Sequence, residues 1–269
     1  MTNSNRIFVA VALLICAVSC KTPFALMLES NDFDGKYKMA MELFEAKRYG
    51  RAADMFESLS AISRGLPQDD TIQFYWGLSN YRFGDYSSAE GNLDQFIKTF
   101  PLSPFVEEAK FLRLNCLYRS TYRYELDPRP TQLAIREMKE FKVENPSSTL
   151  IPEVDVMLDD LNDRLELKAY KGAYLYYHME DYLAAHYALK NVLKENAENR
   201  YREDILYYTA MSAYKYADMS VAAKQRERFL TFVDDYFNLI SEYPQTHYRK
   251  EVDGLYARAQ AYLNKTEKE

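Results

Sequence analysis

The sequence predicts an all-α chain, a right-handed solenoid of about five helix pairs closed by a C-terminal capping helix. Three observations predict it. From Lys36 onward apolar residues recur at helical spacing, and no alternating run suggests a strand. Glycine and proline are scarce, 8 and 9 among 269 residues, so little interrupts the helices. Small residues also return 12 positions apart at three places: Ala40 and Ala52, Gly77 and Ala89, Ala173 and Ala185.

Each of those pairs carries the same companions. Four positions after the second small residue stands Phe56, Leu93 or Leu189, and three positions before it stands Tyr49, Tyr86 or Tyr182. This is the spacing of a tetratricopeptide-like helix pair. Two antiparallel helices approach closely only where side chains are small, and a large apolar residue then fills the space beside the contact. The turns between the helices fall at AKRYG, RFGDY and HMEDY. Two further pairs are less regular. SPFVEEAKFLRLNCLYRSTY opens one, is followed by an insertion, RYELDPRP, and is completed by TQLAIREMKEFKVEN before Pro146. ILYYTAMSAYKYA and SVAAKQRERFLTFVDDYFNLISEY make the last pair, ending before Pro244, and a helix from His247 to Leu263 with a charged outer face caps the array. The expected organisation is a signal peptide over 1–19, a lipidated flexible tether over 20–35, repeats 1–3 over 36–146, repeats 4–5 with the cap over 147–263, and a charged tail over 264–269.

The leader is read from the apolar run Ile7–Val18. It is too short to cross a bilayer, follows Arg6, and ends at small residues, which is the build of a signal peptide. Ala17-Val18-Ser19 suits ordinary cleavage, whereas Ser19-Cys20 suits a lipobox, in which the Cys20 thiol receives diacylglycerol before the chain is cut. The lipoprotein reading is preferred because it accounts for a cysteine that has no other role. With Cys16 lost and Cys20 acylated only Cys116 remains, so no internal disulfide is available. Cys116 lies in the apolar helical pattern FLRLNCLY and reads as a small buried residue.

A formal charge of −6 argues against a nucleic-acid partner, which calls for a dense basic surface. No phosphate loop, nucleophile elbow or metalloprotease motif is present, so no catalysis and no cofactor are expected. Asp159-Asp160 and Asp234-Asp235 read as solvated helix faces. His178, His186 and His247 have no converging acid or thiol in the sequence, so no metal site is expected. Most of the 24 tyrosines sit at helical positions that suit packing.

The loops carry a recurring phrase: FPLSPFVEEA from Phe100, NPSSTLIPEV from Asn145, YPQTHYRKEV from Tyr243, and NAENRYREDI from Asn196 with alanine in the proline slot. Joined to the leader, Cys20 and five helix pairs, these phrases resemble the BamD family, lipoproteins of the outer-membrane β-barrel assembly machinery of Gram-negative bacteria. LDPRPTQLAIREMKEFKVENPSS resembles its third repeat and AYLYYHMEDYLAAHYALKNVL its fourth. The resemblance covers nearly the whole mature chain. It implies a scaffold held by acyl chains at the periplasmic face of the outer membrane, among other lipoproteins of the machinery. It implies C-terminal repeats docked on the periplasmic POTRA region of a BamA-like barrel protein, and N-terminal repeats receiving unfolded outer-membrane protein segments. One departure stands out: where relatives often carry an arginine, this chain reads His186-Tyr187-Ala188.

Tyr37, Met41, Phe44, Phe74, Leu78, Tyr81 and Arg82 project from the small-residue face of the first two repeats, and are the candidate lining of a peptide groove. Their aromatic and methionine character suits a sequence-tolerant grip on apolar segments, with Arg82 placed to pair with a terminal carboxylate. The same stripe also suits burial against the adjacent repeat, the more usual role of an aromatic stripe. A rival function is a periplasmic adaptor lipoprotein in cell-envelope synthesis or division. Glycan binding is disfavoured, because the single tryptophan, Trp76, falls in a packing slot.

Overall fold

The structure, a computed structural model, describes residues 22–266. The leader, Cys20 and the last three residues of the tail lie outside them. Among the described residues there are twelve α-helices and no strand. In order they are α1 (Pro23–Glu29), α2 (Phe33–Glu45), α3 (Tyr49–Ser60), α4 (Asp69–Phe83), α5 (Tyr86–Thr99), α6 (Val106–Arg119), α7 (Arg129–Glu144), α8 (Ile151–His178), α9 (Tyr182–Glu195), α10 (Arg202–Asp218), α11 (Ala222–Glu242) and α12 (Arg249–Thr266). Contacts join α2 to α3, α3 to α4, α4 to α5 and α5 to α6 in one stretch, and α8 to α9, α9 to α10, α10 to α11 and α11 to α12 in another. The chain divides into two compact units, Met1–Ser120 with Glu137–Leu150, and Thr121–Arg136 with Ile151–Glu269.

The three regular pairs fold for one shared reason. Ala40, Ala52 and Phe56 are fully buried, as are Ala89 and Leu93, and Ala185 and Leu189. At Gly77 a methyl group would come within 2.8 Å of Leu93 Cδ2, so this helix contact is closed to anything larger than glycine unless Leu93 moves. Each hairpin turn then reverses through one residue in the left-handed region: Lys47 at φ 56°, Gly84 at 95° and Glu180 at 62°. The hydrogen bonds around them are the same. The next amide reaches back five residues, Arg48 to Leu43, Asp85 to Asn80 and Asp181 to Tyr176, and satisfies a carbonyl at the helix end. An aromatic pair seals each turn edge-on: Phe44 with Tyr49, Tyr81 with Tyr86, Tyr177 with Tyr182, at 5.4, 5.6 and 5.5 Å between ring centres.

The recurring loop phrase also has a physical basis. Its fourth residue accepts a hydrogen bond from the amide two residues on, as Ser103 does from Phe105, Ser148 from Leu150, Asn199 from Tyr201 and Thr246 from Tyr248. That bond orders the chain just before the next helix opens. An acid then stands in the first helical turn, Glu107, Glu153, Glu203 or Glu251, where the helix dipole favours it.

Unit 1 departs from expectation at its start. Residues 23–29, expected to be part of a flexible tether, form α1. Thr22 caps it, accepting from the Ala25 amide, and Pro23 occupies the first turn. Phe24, Met27 and Leu28 pack on the core of the first helix pair. The buried Lys36 ammonium clamps the other end of α1, donating to the Leu28 carbonyl at 3.0 Å and to Ser58 Oγ at 2.5 Å. Burial of three apolar side chains and satisfaction of a buried cation outweigh the chain freedom that a linker would retain.

Unit 2 is organised on α8, whose 28 residues make about 42 Å of continuous helix. The insertion lies along it. Lys168 Nζ donates to the carbonyls of Tyr124 and Leu126 at 2.9 and 2.8 Å, and Arg164 donates to Thr121 Oγ1 at 2.8 Å. These bonds place residues 121–126 with α8.

The α4–α5 contact gives a first test. Gly77→Ala destabilises the chain by about 1–3 kcal/mol in urea unfolding. In a Leu93→Ala background the same change costs much less, because the clashing methyl is gone. Equal cost in both backgrounds would show that Leu93 does not set the spacing.

Candidate functional site

Unit 1 carries a groove of about 1270 Å³ beside α3, α4 and α5. Helix α4 supplies one wall. Its other faces are taken up by Ile72, Phe74, Gly77 and Leu78, all buried, while Trp76, the largely buried Asn80 and Phe83 lie along one stripe towards the groove. Asn80 is held by its amide, which donates to Asn92 Oδ1 of α5 at 2.9 Å. Phe83 is 66 % exposed and rests against Gly50, where a methyl group would meet its ring at 3.0 Å.

Four cations line this groove: Lys47, Arg48, Arg51 and Arg82. None of them has an ion-pair partner among the described residues; Arg51 instead lies over the Phe24 ring at 5.4 Å. The groove also holds Asp54, Glu57 and Asp85. Asp85 is occupied as the cap of α5, accepting from the Ser88 amide at 3.0 Å and the Ser88 hydroxyl at 2.7 Å. Those bonds hold its carboxyl below the usual carboxylate range. The groove therefore offers an indole, an amide, an exposed ring and unpaired guanidinium groups. Such a combination is chemically able to stack on and hydrogen-bond an extended chain and to meet carboxylates with charge.

The seven residues expected to line a groove separate. Phe74 and Leu78 are buried in the core, Phe74 stacked on Phe105 at 4.6 Å. Tyr37, Met41, Phe44 and Tyr81 are half-buried and pack on the cores of the first two helix pairs. Only Arg82 reaches the groove. The small-residue face is where the helices meet, so its stripe is consumed by packing. Trp76, assigned to packing by its spacing, packs on the first core and also lines the groove.

Unit 2 contains a buried charge cluster that departs from the sequence reading. Asp235 of α11 is 2 % exposed, not solvated, and accepts from His186 Nε2 at 2.7 Å and Lys190 Nζ at 2.8 Å, both on α9. His186 thus meets a converging acid that lies 49 residues away in sequence. Asp159 and Asp160 keep to the outer face, paired with Arg200 and Arg164 at 2.6 and 2.5 Å. His178 is exposed, and His247 stands 3.6 Å from Glu203. Among the described residues no three His, Cys, Asp or Glu side chains come together as metal ligands. Cys116 is fully buried, and burial pushes its thiol up to about 12.

The family described as "YfiO: Outer membrane lipoprotein" matches residues 30–227. The chain belongs to this outer-membrane lipoprotein family. The match runs from just before α2 through α9 and α10 into α11, so it takes in the groove of unit 1 and the first part of unit 2. Among curated relatives, the "Outer membrane protein assembly factor BamD" of Caulobacter vibrioides is 21% identical over 229 residues, covering 84% of this chain and 73% of that protein. The BamD resemblance read from the loop phrases agrees with both findings. Among solved structures, a thermophilic TPR protein of Thermus thermophilus is 16% identical with a TM-score of 0.33, covering 85% of this chain and 99% of that one.

The charge cluster makes a sharp prediction. Asp235→Ala lowers the unfolding free energy by about 2–4 kcal/mol, since it strands two polar partners on α9. Its exposed neighbour changed likewise, Asp234→Ala, shifts it by no more than about 0.5 kcal/mol. Similar losses in urea titrations of the two variants would contradict the assignment.

Proposed function

We propose that this lipoprotein is a non-enzymatic scaffold of the outer-membrane β-barrel assembly machinery. It is anchored through acylated Cys20 at the periplasmic face of the outer membrane. It docks through unit 2 on the periplasmic POTRA region of a BamA-like protein, alongside other lipoproteins of the machinery, and receives unfolded outer-membrane protein segments in the groove of unit 1. The observation that carries the reading is the family match across 30–227, joined to the character of the groove it includes. An unfolded barrel segment alternates apolar and polar residues and ends in a carboxylate. Trp76 and Phe83 suit the first property, Asn80 the polar backbone, and Arg82 the last.

Two turns of unit 2 support the docking role. Met179 beside the α8–α9 turn and Met219 and Val221 beside the α10–α11 turn are 64, 69 and 72 % exposed. Exposed apolar side chains on the turns of a hairpin array suit a partner surface.

The reading is tested in two ways. A tagged full-length chain brings down the BamA-like protein from detergent-solubilised membranes; its absence, with proteins of envelope synthesis or division in its place, would establish the adaptor alternative. A synthetic peptide with the C-terminal strand of a barrel protein binds the full chain, and Trp76→Ala or Arg82→Ala weakens it about 10-fold while far-ultraviolet dichroism stays unchanged. Unaltered affinity in both variants would remove the groove from the mechanism.

A further inference from the structure

The fold of α1 changes what the anchor does. Only Lys21 separates Cys20 from Thr22, the cap of α1. Two residues span at most about 7 Å. Because α1 is packed on the first helix pair and clamped at Leu28 by Lys36, that short reach is measured from the folded body and not from the end of a loose linker. An acylated Cys20 therefore brings the lipid headgroups to whichever part of unit 1 surrounds Thr22.

That part is well defined. Thr22 shares one depression with Ala46, Arg48 and Arg51, so it lies at the end of unit 1 that carries the α2–α3 turn. In a stack of hairpins the α4–α5 turn lies at the same end, and the loops 61–68 and 100–105 lie at the other, about 21 Å away along the 14 residues of α5. The end around Thr22 carries Lys47, Arg48 and Arg51, without ion-pair partners among the described residues, and beside them the exposed Phe83. Glu42 is the one acid in the shared depression. Cations with an exposed aromatic ring suit the headgroup layer, where phosphates accept from guanidinium groups and rings sit at the apolar boundary.

We propose that the end of unit 1 formed by Thr22, Lys47, Arg48, Arg51 and Phe83 rests on the phospholipid surface, its cations paired with lipid phosphates, so that the groove opens beside the membrane. The proposal rests on the acylation of Cys20 proposed above. It goes beyond that reading in making the anchor set an orientation as well as an attachment.

The full acylated chain is reconstituted in vesicles of phosphatidylethanolamine and phosphatidylglycerol that contain a headgroup-labelled nitroxide lipid. A fluorophore is attached through Ala46→Cys or, as the distal control, through Leu102→Cys. Buried Cys116 does not compete for the label. Quenching is expected to be several-fold stronger at 46 than at 102. Adding Lys47→Glu, Arg48→Glu and Arg51→Glu abolishes most of that difference while the chain still floats with the vesicles. Equally weak quenching at both sites in a chain that floats and has the acylated mass would overturn the orientation and leave the anchor intact. A chain that lacks the acyl mass and does not float would overturn both.

Discussion

Close approach of two helices at a small residue is the constraint on which the rest of this molecule depends. Where Ala40 and Ala52 are buried, where Gly77 meets Leu93, and where Ala173 and Ala185 are buried, a turn of two or three residues is enough to join the helices. A turn that short has to reverse through the left-handed region. Glycine accepts this without strain, whereas Lys47 and Glu180 accept it at a cost of about 1 kcal/mol each. The cost is offset because the turn satisfies the carbonyls of the helix end and an aromatic pair closes over it. Spacing, turn and aromatic seal are therefore one device, which appears twice in unit 1 and once in unit 2.

The polar residues of the loops complete it. Ser103, Ser148, Asn199 and Thr246 each order the chain before a helix, and two of them also reach a neighbouring helix start. Ser103 Oγ donates to Asp70 at 2.8 Å and Ser148 Oγ to Glu107 at 2.6 Å. The acids they meet lie in the first turns of α4 and α6, where the dipole already favours negative charge. One carboxylate thus serves the helix it opens and the loop that follows. This explains why a phrase that repeats only loosely in its letters recurs with constant spacing: position four supplies a side-chain acceptor to the amide two residues on, and little else is shared.

Much of this was legible in the sequence because it is periodic. The small-residue slots, the two irregular pairs and the capping helix all read from local pattern. What did not read was whatever depends on which face meets which neighbour. The stripe from Tyr37 to Tyr81 has the composition of a peptide groove, but it lies on the face that the hairpins consume, and only Arg82 at its edge escapes. Trp76 sits one position from Gly77 and so looked like packing, although a residue next to a helix contact points away from it by roughly 100°. Asp235 pairs with His186 across two intervening helix boundaries, a contact without any local signature. The start of α1 was signalled, since Thr22-Pro23 is a cap followed by a first-turn proline. A segment just after a lipidation cysteine invites the reading of a linker, and the signal was outweighed by that context.

The distribution of charge carries the argument from fold to surface. The chain has more acids than bases, and several of its cations are held by carboxylates. Arg113 is held by Glu90, Asp94 and Glu137, Arg200 by Asp159 and Asp163, Arg202 by Glu242 and Arg249 by Asp253. Ion pairs at a solvated surface contribute little to stability, and their presence needs no functional cause. Lys47, Arg48, Arg51 and Arg82 line one groove without an ion-pair partner among the described residues, although Asp54 and Glu57 share it with them. Four such cations on one concavity of an acidic chain raise the local potential for anions without adding to the fold. Under the proposed function that potential would meet the carboxylates of a bound peptide, and under the proposed orientation it would meet lipid phosphates at the end near Thr22.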